Sequence, residues 1–240
     1  MGKKKTLALI SSFILILTVF SSCKKTSVDE ENTSEPNSVS EIQYMAEFQG
    51  IAVLSACRTD GNFVEDGSDT EKNGVAGIVV MNTTDKTLQY MEITETFADG
   101  TIYTYAVSTL PPDTAVTVQE KSGAEHKGFA PDSGVIWSAS NTAFFTEEPM
   151  LHEDMIKVTG ADSILNVQNI TDKDITDNIV IYYKNYKDGE ILGGITYRVI
   201  VSGGVEAGGI KQIPANHYKP GESIIMFTEF VSAEVSNGGN

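Results

Sequence analysis

Apolar and polar positions along this chain alternate with a period of two over short runs, and no stretch of eleven or more residues keeps a stripe of period 3.6. The runs are rich in Val, Ile, Thr, Tyr and Phe and are punctuated by Gly, Asp, Asn and Pro, the grammar of strands joined by turns. Strands are predicted at 47–57, 75–82, 89–97, 101–108, 114–120 and 134–145. A second set is predicted at 154–158, 163–169, 177–186, 192–201, 209–214 and 222–230. Many short strands at this spacing point to an all-β, sandwich-like body. Helical crossovers are not evident, which disfavours a two-lobed α/β solute-binding architecture.

The N-terminus breaks the pattern. Lys3, Lys4 and Lys5 precede an uncharged apolar run from Thr6 to Phe20, then Ser21, Ser22 and Cys23. That is the layout of a secretory signal peptide, and the run is shorter than the roughly 20 residues of a permanent membrane-spanning helix. Phe20-Ser21-Ser22-Cys23 resembles a bacterial lipobox, although Phe20 stands where an aliphatic residue is usual. The resemblance implies diacylglyceryl transfer to the Cys23 thiol, cleavage after residue 22 and a lipid anchor on the extracytoplasmic face of a bacterial membrane. Residues 23–45, rich in Ser, Thr, Asn, Glu and Lys, then read as an acidic tether, and 233–240 as a frayed tail.

Composition narrows the function. The 240 residues carry 17 Lys+Arg against 33 Asp+Glu, a formal charge of -16. Removing residues 1–22, which hold three Lys and no acid, takes it to -19. Such a chain repels phosphates and anionic lipid headgroups, so nucleic acid is excluded as a partner and membrane attachment falls to the acyl chains. With two cysteines and one given to lipid, no intrachain disulfide is expected.

The body carries a pattern twice. Val79-Val80-Met81-Asn82-Thr83-Thr84-Asp85-Lys86 parallels Leu165-Asn166-Val167-Gln168-Asn169-Ile170-Thr171-Asp172-Lys173. Phe97-Ala98-Asp99-Gly100 then parallels Tyr186-Lys187-Asp188-Gly189, and Leu110-Pro111-Pro112-Asp113 is matched to Tyr218-Lys219-Pro220-Gly221. From Asn to Asp-Gly the spacings are 17 and 19 residues, but from Asp99 to Pro112 and from Asp188 to Pro220 they are 13 and 32. The second copy therefore needs an insertion, placed around Gly203–Gly209 and read as a flexible connection. This ordered pattern resembles the FxLYD-like, immunoglobulin-like domains of bacterial envelope proteins, over about 74–120 and 163–228. The resemblance implies two tandem antiparallel β-sandwich domains, 46–146 and 147–232, and carries over no catalytic residue.

Candidate chemistry is sparse. The loop holding Asp60, Asp66, Asp69 and Glu71 is the best calcium candidate, though it lacks EF-hand spacing and also fits a plain exposed loop. Glu147, Glu148, His152, Glu153 and Asp154 cluster in the predicted interdomain linker, where a solvated segment is the plainer reading. His126, His152 and His217 are far apart, and Cys57 beside Arg58 reads as a buried, inert thiol. Tyr182, Tyr183 and Tyr186 offer a binding surface if part of that strand is exposed, and a core strand otherwise. Trp137 reads as core. No nucleotide loop, paired Cys-x-x-Cys or Gly-x-Ser-x-Gly is present, and no cofactor is expected. The leading expectation is a lipid-anchored, non-enzymatic envelope protein that binds another envelope protein or a surface ligand. The alternatives are an accessory subunit of an envelope transporter or assembly machine, and a β-sandwich hydrolase whose cleft would join at least two of His126, His152, His217 and Cys57 with carboxylates.

Overall fold

The computed structural model describes residues 44–127, 134–187 and 190–232. The signal segment, Cys23 and nearly all of the tether, as well as the tail, lie outside the described residues. Within them the chain is all-β, with strands β1 (Ala46–Phe48), β2 (Ile51–Phe63), β3 (Thr70–Asn82), β4 (Leu88–Thr96), β5 (Ile102–Leu110), β6 (Ala115–Gln119) and β7 (Ile136–Phe144) in the first half. The second half holds β8 (Ile156–Ala161), β9 (Ile164–Asn169), β10 (Asn178–Lys187), β11 (Glu190–Val201), β12 (Ile210–Pro214) and β13 (Ser223–Val231).

Three sheets result. A seven-stranded sheet runs β1-β2-β3-β6-β11-β10-β13, and two three-stranded sheets run β5-β4-β7 and β12-β9-β8. All neighbours are antiparallel except β6 and β11, which pair in parallel with Val116 opposite Ile191 and Thr117 opposite Leu192. That one pairing joins the halves into a continuous sheet. One hydrophobic cluster forms where β2, β3 and β6 face β4 and β5, around Ile78, Met91, Ile93, Tyr105 and Val118. A second forms between β8–β9 and β10–β11, around Leu165, Val167, Ile181, Tyr183 and Val201. Trp137 packs at the edge of the first cluster.

The strand partners repeat. In the first half β3 lies between β2 and β6, and β4 between β5 and β7. In the second, β9 lies between β8 and β12, and β10 between β11 and β13. At the head of each copy an asparagine makes the same hydrogen bonds. Asn82 Nδ2 donates to the carbonyls of Lys86 and Leu110, and its Oδ1 accepts from the Thr84 amide and hydroxyl. Asn169 Nδ2 donates to Lys173 and Val205, and its Oδ1 accepts from the Thr171 amide and hydroxyl. Each side chain thus closes its own local turn and ties it to a backbone carbonyl far along the sequence. Both asparagines are fully buried.

This correspondence corrects the third sequence anchor. The partner of Leu110, 28 residues after Asn82, is Val205, 36 residues after Asn169, so the copies differ by eight residues there. Tyr218-Lys219-Pro220-Gly221 is not the counterpart of Leu110–Asp113; it forms the turn that leads into β13. The Gly203–Gly209 segment is not slack either. The Gly203 amide donates to Asn178 Oδ1, Val205 exchanges two backbone bonds with Ile175, and Val205 is buried. Backbone geometry, invisible in a count of Pro and Gly, decides the match.

Two further expectations change. The predicted strand 47–57 is a short hairpin, β1 turning at Gln49-Gly50 into β2, which continues to Phe63. Asp60, Gly61 and Asn62 therefore belong to a strand, with a bulge between Thr59 and Gly61 accommodating them. The 147–154 linker is pinned rather than solvated throughout. Met150 and Leu151 offer their carbonyls to the Thr228 amide and hydroxyl, and His152 Nδ1 bonds the same hydroxyl at 3.0 Å.

Candidate functional site at the junction of the two halves

β11 does not pair smoothly with β10. Tyr183 sits opposite Tyr197 and Asn185 opposite Leu192, so Gly193, Gly194, Ile195 and Thr196 bulge out against the single residue Lys184. A bulge removes ladder bonds, and buried backbone groups need replacements. Side chains provide them. The Lys184 ammonium donates to the carbonyls of Gly194 (3.0 Å) and Ile195 (2.9 Å). The Glu65 carboxylate, just past β2, accepts the Gly194 amide at 2.7 Å. Ser108 on β5 donates its hydroxyl to the Gly194 carbonyl and lies 2.8 Å from the Thr196 hydroxyl. Thr196 thus reaches toward the first half while its neighbour Tyr197 packs in the second cluster.

Lys184 is 1% exposed. Burial drives its pKa down from 10.5 to about 7, with Glu65 opposing that fall. Burial likewise raises Glu65 from 4.5 to about 7, offset in part by the Gly194 amide and Lys184. Glycine is obligatory at the bulge: a Cβ on Gly194 would lie 1.6 Å from the Ala106 carbonyl oxygen, a backbone atom that cannot yield without separating β5 from β11. Gly194→Ala is therefore expected to cost about 3 kcal/mol or more, as an overpacked core position does, read as a lowered urea midpoint.

A second contact clasps the halves beside the bulge. Asp69, at φ 52° before β3, accepts from the Tyr197 hydroxyl at 3.3 Å through Oδ1, while its Oδ2 lies 2.9 Å from His217 Nδ1. His217 stacks on Tyr197 (4.6 Å), Tyr197 on Tyr183 (5.2 Å), and Tyr218 meets Tyr183 edge-on (5.7 Å). Phe145, past the end of β7, meets Phe227 of β13 edge-on, and Tyr182 stacks on Phe227.

Next to the bulge a cleft of about 290 Å³ opens between the halves, walled by Thr59–Asn62, Val64, Thr117 and Gln119 on one side and Asn185, Tyr186, Leu192, Gly193, Lys219 and Glu222 on the other. Gln119 is held in place, accepting from the Val64 amide and donating to Thr59, and Asn185 accepts from Ser223. Tyr186 is 36% exposed, and a side chain on Gly61 would meet only open space.

The residues singled out in the sequence fall into three fates. Of the tyrosines, Tyr186 reaches the cleft, Tyr183 is a core residue at 1% exposure, and Tyr182 packs on Phe227 with its hydroxyl on Glu229. Tyr183 is thus withdrawn as a surface contact, because it continues the inward-facing alternation of Ile179 and Ile181 into the second cluster. The acidic residues are dispersed. Asp60 Oδ1 accepts the Gly74 amide, Asp66 Oδ1 accepts the Ser68 amide, Asp69 clasps the second half and Glu71 is exposed on β3. Among the described residues no three His, Cys, Asp or Glu side chains come together as a metal set. His126 is buried near Tyr103, His152 packs on Phe230 and His217 pairs with Asp69, while Cys57, buried on β2, is held in a disulfide and is not the free thiol expected from the sequence; none of the four lines the cleft.

Sequence reasoning missed Glu65, Lys184 and the Gly193-Gly194 bulge. Their signals are present: paired glycines interrupt a strand, and a lysine ends the run Ile179-Val180-Ile181-Tyr182-Tyr183. Comparison with protein families, curated proteins and solved structures finds no match to this chain.

Proposed function

We propose that this chain is a lipid-anchored, non-enzymatic protein of a bacterial cell envelope, built as two tandem immunoglobulin-like β-sandwich domains that bind a protein or surface ligand at their junction. The signal layout, Cys23 and the acidic tether support the anchor; the repeated strand partners and paired asparagines support the duplication. The observation that carries the binding role is the cleft, where rigid strands from both halves set polar side chains around an open space. The hydrolase reading is set aside, because its condition was a cleft gathering two of His126, His152, His217 and Cys57.

The anchor has a direct chemical test. The structure holds Cys57 in a disulfide, and with two cysteines in the chain that bond and a thioether at Cys23 compete for one sulfur. Mass spectrometry of the chain purified from membranes is expected to find Cys23 as an acylated N-terminus and Cys57 as a buried thiol. An intact Cys23–Cys57 disulfide, or a retained leader, would refute the anchor. The binding role is tested with the immobilised full-length chain and envelope extracts: a partner retained by the parent and released by Tyr186→Ala is expected, and no partner at any salt or calcium concentration counts against it.

A further inference from the structure

We infer that the junction cleft is a saccharide site, taking an uncharged hydroxylated ring between Tyr186 and the Lys219–Glu222 turn. This rests on the binding role proposed above and names its ligand class. Four rim groups carry it. The Asn62 amide, the Tyr186 hydroxyl, the Lys219 ammonium and the Glu222 carboxylate all border the cleft, and none has a partner among the described residues. The backbone beneath them is fixed. The Tyr186 amide donates to the Glu222 carbonyl at 2.6 Å, the Glu222 amide to the Lys219 carbonyl, and the Lys219 amide to the Ser223 hydroxyl. A cation and an anion three residues apart on one turn, not joined as an ion pair, leave donors and acceptors facing the same space.

Charge and size choose the class. A body at -16 repels anions, so a phosphate or a carboxylate ligand is disfavoured. An apolar ligand is disfavoured because it would leave the amides, hydroxyls and two charges on the walls without partners. Sugar hydroxyls donate and accept at once, matching Asn62, Thr117 and Gln119 as well as the two rim charges, and the C–H face of the ring suits the Tyr186 ring. About 290 Å³ lies at the small end of the roughly 300–1,000 Å³ typical of ligand pockets, suiting one or two rings rather than a polymer. A zwitterion such as a dipeptide would also satisfy Lys219 and Glu222, but it would leave the amides and hydroxyls of the opposite wall poorly used.

Calorimetric titration of the full-length chain in detergent with maltose, cellobiose and chitobiose tests the class, with glycylglycine as the zwitterionic competitor. Binding of at least one disaccharide is expected, weakened about tenfold by Tyr186→Ala, the loss of one ring contact, and further by Lys219→Ala combined with Glu222→Gln. These side chains bond nothing else among the described residues, so the urea midpoint should not move. Glycylglycine binding without sugar binding, or sugar binding indifferent to the three substitutions, overturns the inference. A chain that keeps its envelope partner yet binds no disaccharide also overturns the ligand class while leaving the binding role standing.

Discussion

Asn169→Ala is expected to destabilise the chain by about 3 kcal/mol, with Asn82→Ala close behind, each losing several hydrogen bonds from a fully buried site. The mechanism is specific. Truncation leaves the carbonyls of Lys173 and Val205, or of Lys86 and Leu110, without their amide donor, and strips the threonine amide of its acceptor. Buried groups left unmatched cost more than the bonds themselves contributed, which is why the expected loss exceeds that of an ordinary surface turn. Asn→Asp keeps the shape and the accepting oxygen but cannot donate to either carbonyl, so it should be no milder. Urea denaturation of the single variants gives the two losses. Equal losses would show the copies stabilised alike; a loss below about 1 kcal/mol, the range of a mere surface substitution, would mean that water replaces the side chain.

The second large effect concerns Lys184 and Glu65. Removing one member, as in Lys184→Met, is expected to cost about 3–5 kcal/mol, the range for an uncompensated buried charge, and the double variant Glu65→Gln with Lys184→Met should recover part of it. The pair also imposes a pH dependence. Glu65 is raised above its ordinary 4.5 to about 7, so its contribution to stability is complete below pH 4.5 and lost as pH climbs through 7. Lys184 is lowered from 10.5 to about 7, so its contribution is complete above pH 10.5 and lost as pH falls through 7. The two trends cross near neutrality, where the difference in stability between parent and double variant should be least favourable to the parent. Unfolding midpoints of both proteins from pH 4 to 10 test this, and a flat difference across that range would refute it.

How far the fold could be read in advance depended on whether its cause was local. Strand alternation and Asp-Gly turns are local, and eleven of the twelve predicted strands are present with edges shifted by up to five residues, while the first is split by a turn into β1 and β2. The paired asparagines were visible as letters, yet their role depends on carbonyls at Leu110 and Val205 that only folding brings near. The third repeat anchor failed for that reason: Pro and Gly mark turns without saying which turns correspond. The cleft was legible only through Tyr186 and Asp60, because its remaining walls come from β2, β6, β10, β11 and the turn before β13, which only folding brings together. Lys184 is the sharpest case. A lysine closing an apolar run marks the position as unusual, but that a backbone bulge on another strand holds it in the interior emerges only on folding.

The parallel pairing of β6 with β11 carries a kinetic consequence. Every other strand pair in the seven-stranded sheet is antiparallel, most of them built from neighbours in the chain, whereas Val116 must wait for Ile191. Contacts of such long sequence separation close late, because the entropy of the intervening loop opposes them until local hairpins have shortened it. A nascent chain emerging N-terminus first therefore exposes the outer rim of β6 until β11 has been delivered, and unpaired rims of this kind invite association with other chains. The carboxylate of Glu65 is suited to that interval: it waits in the first half for the Gly194 amide of β11, stays hydrated until the join closes and only then surrenders its water.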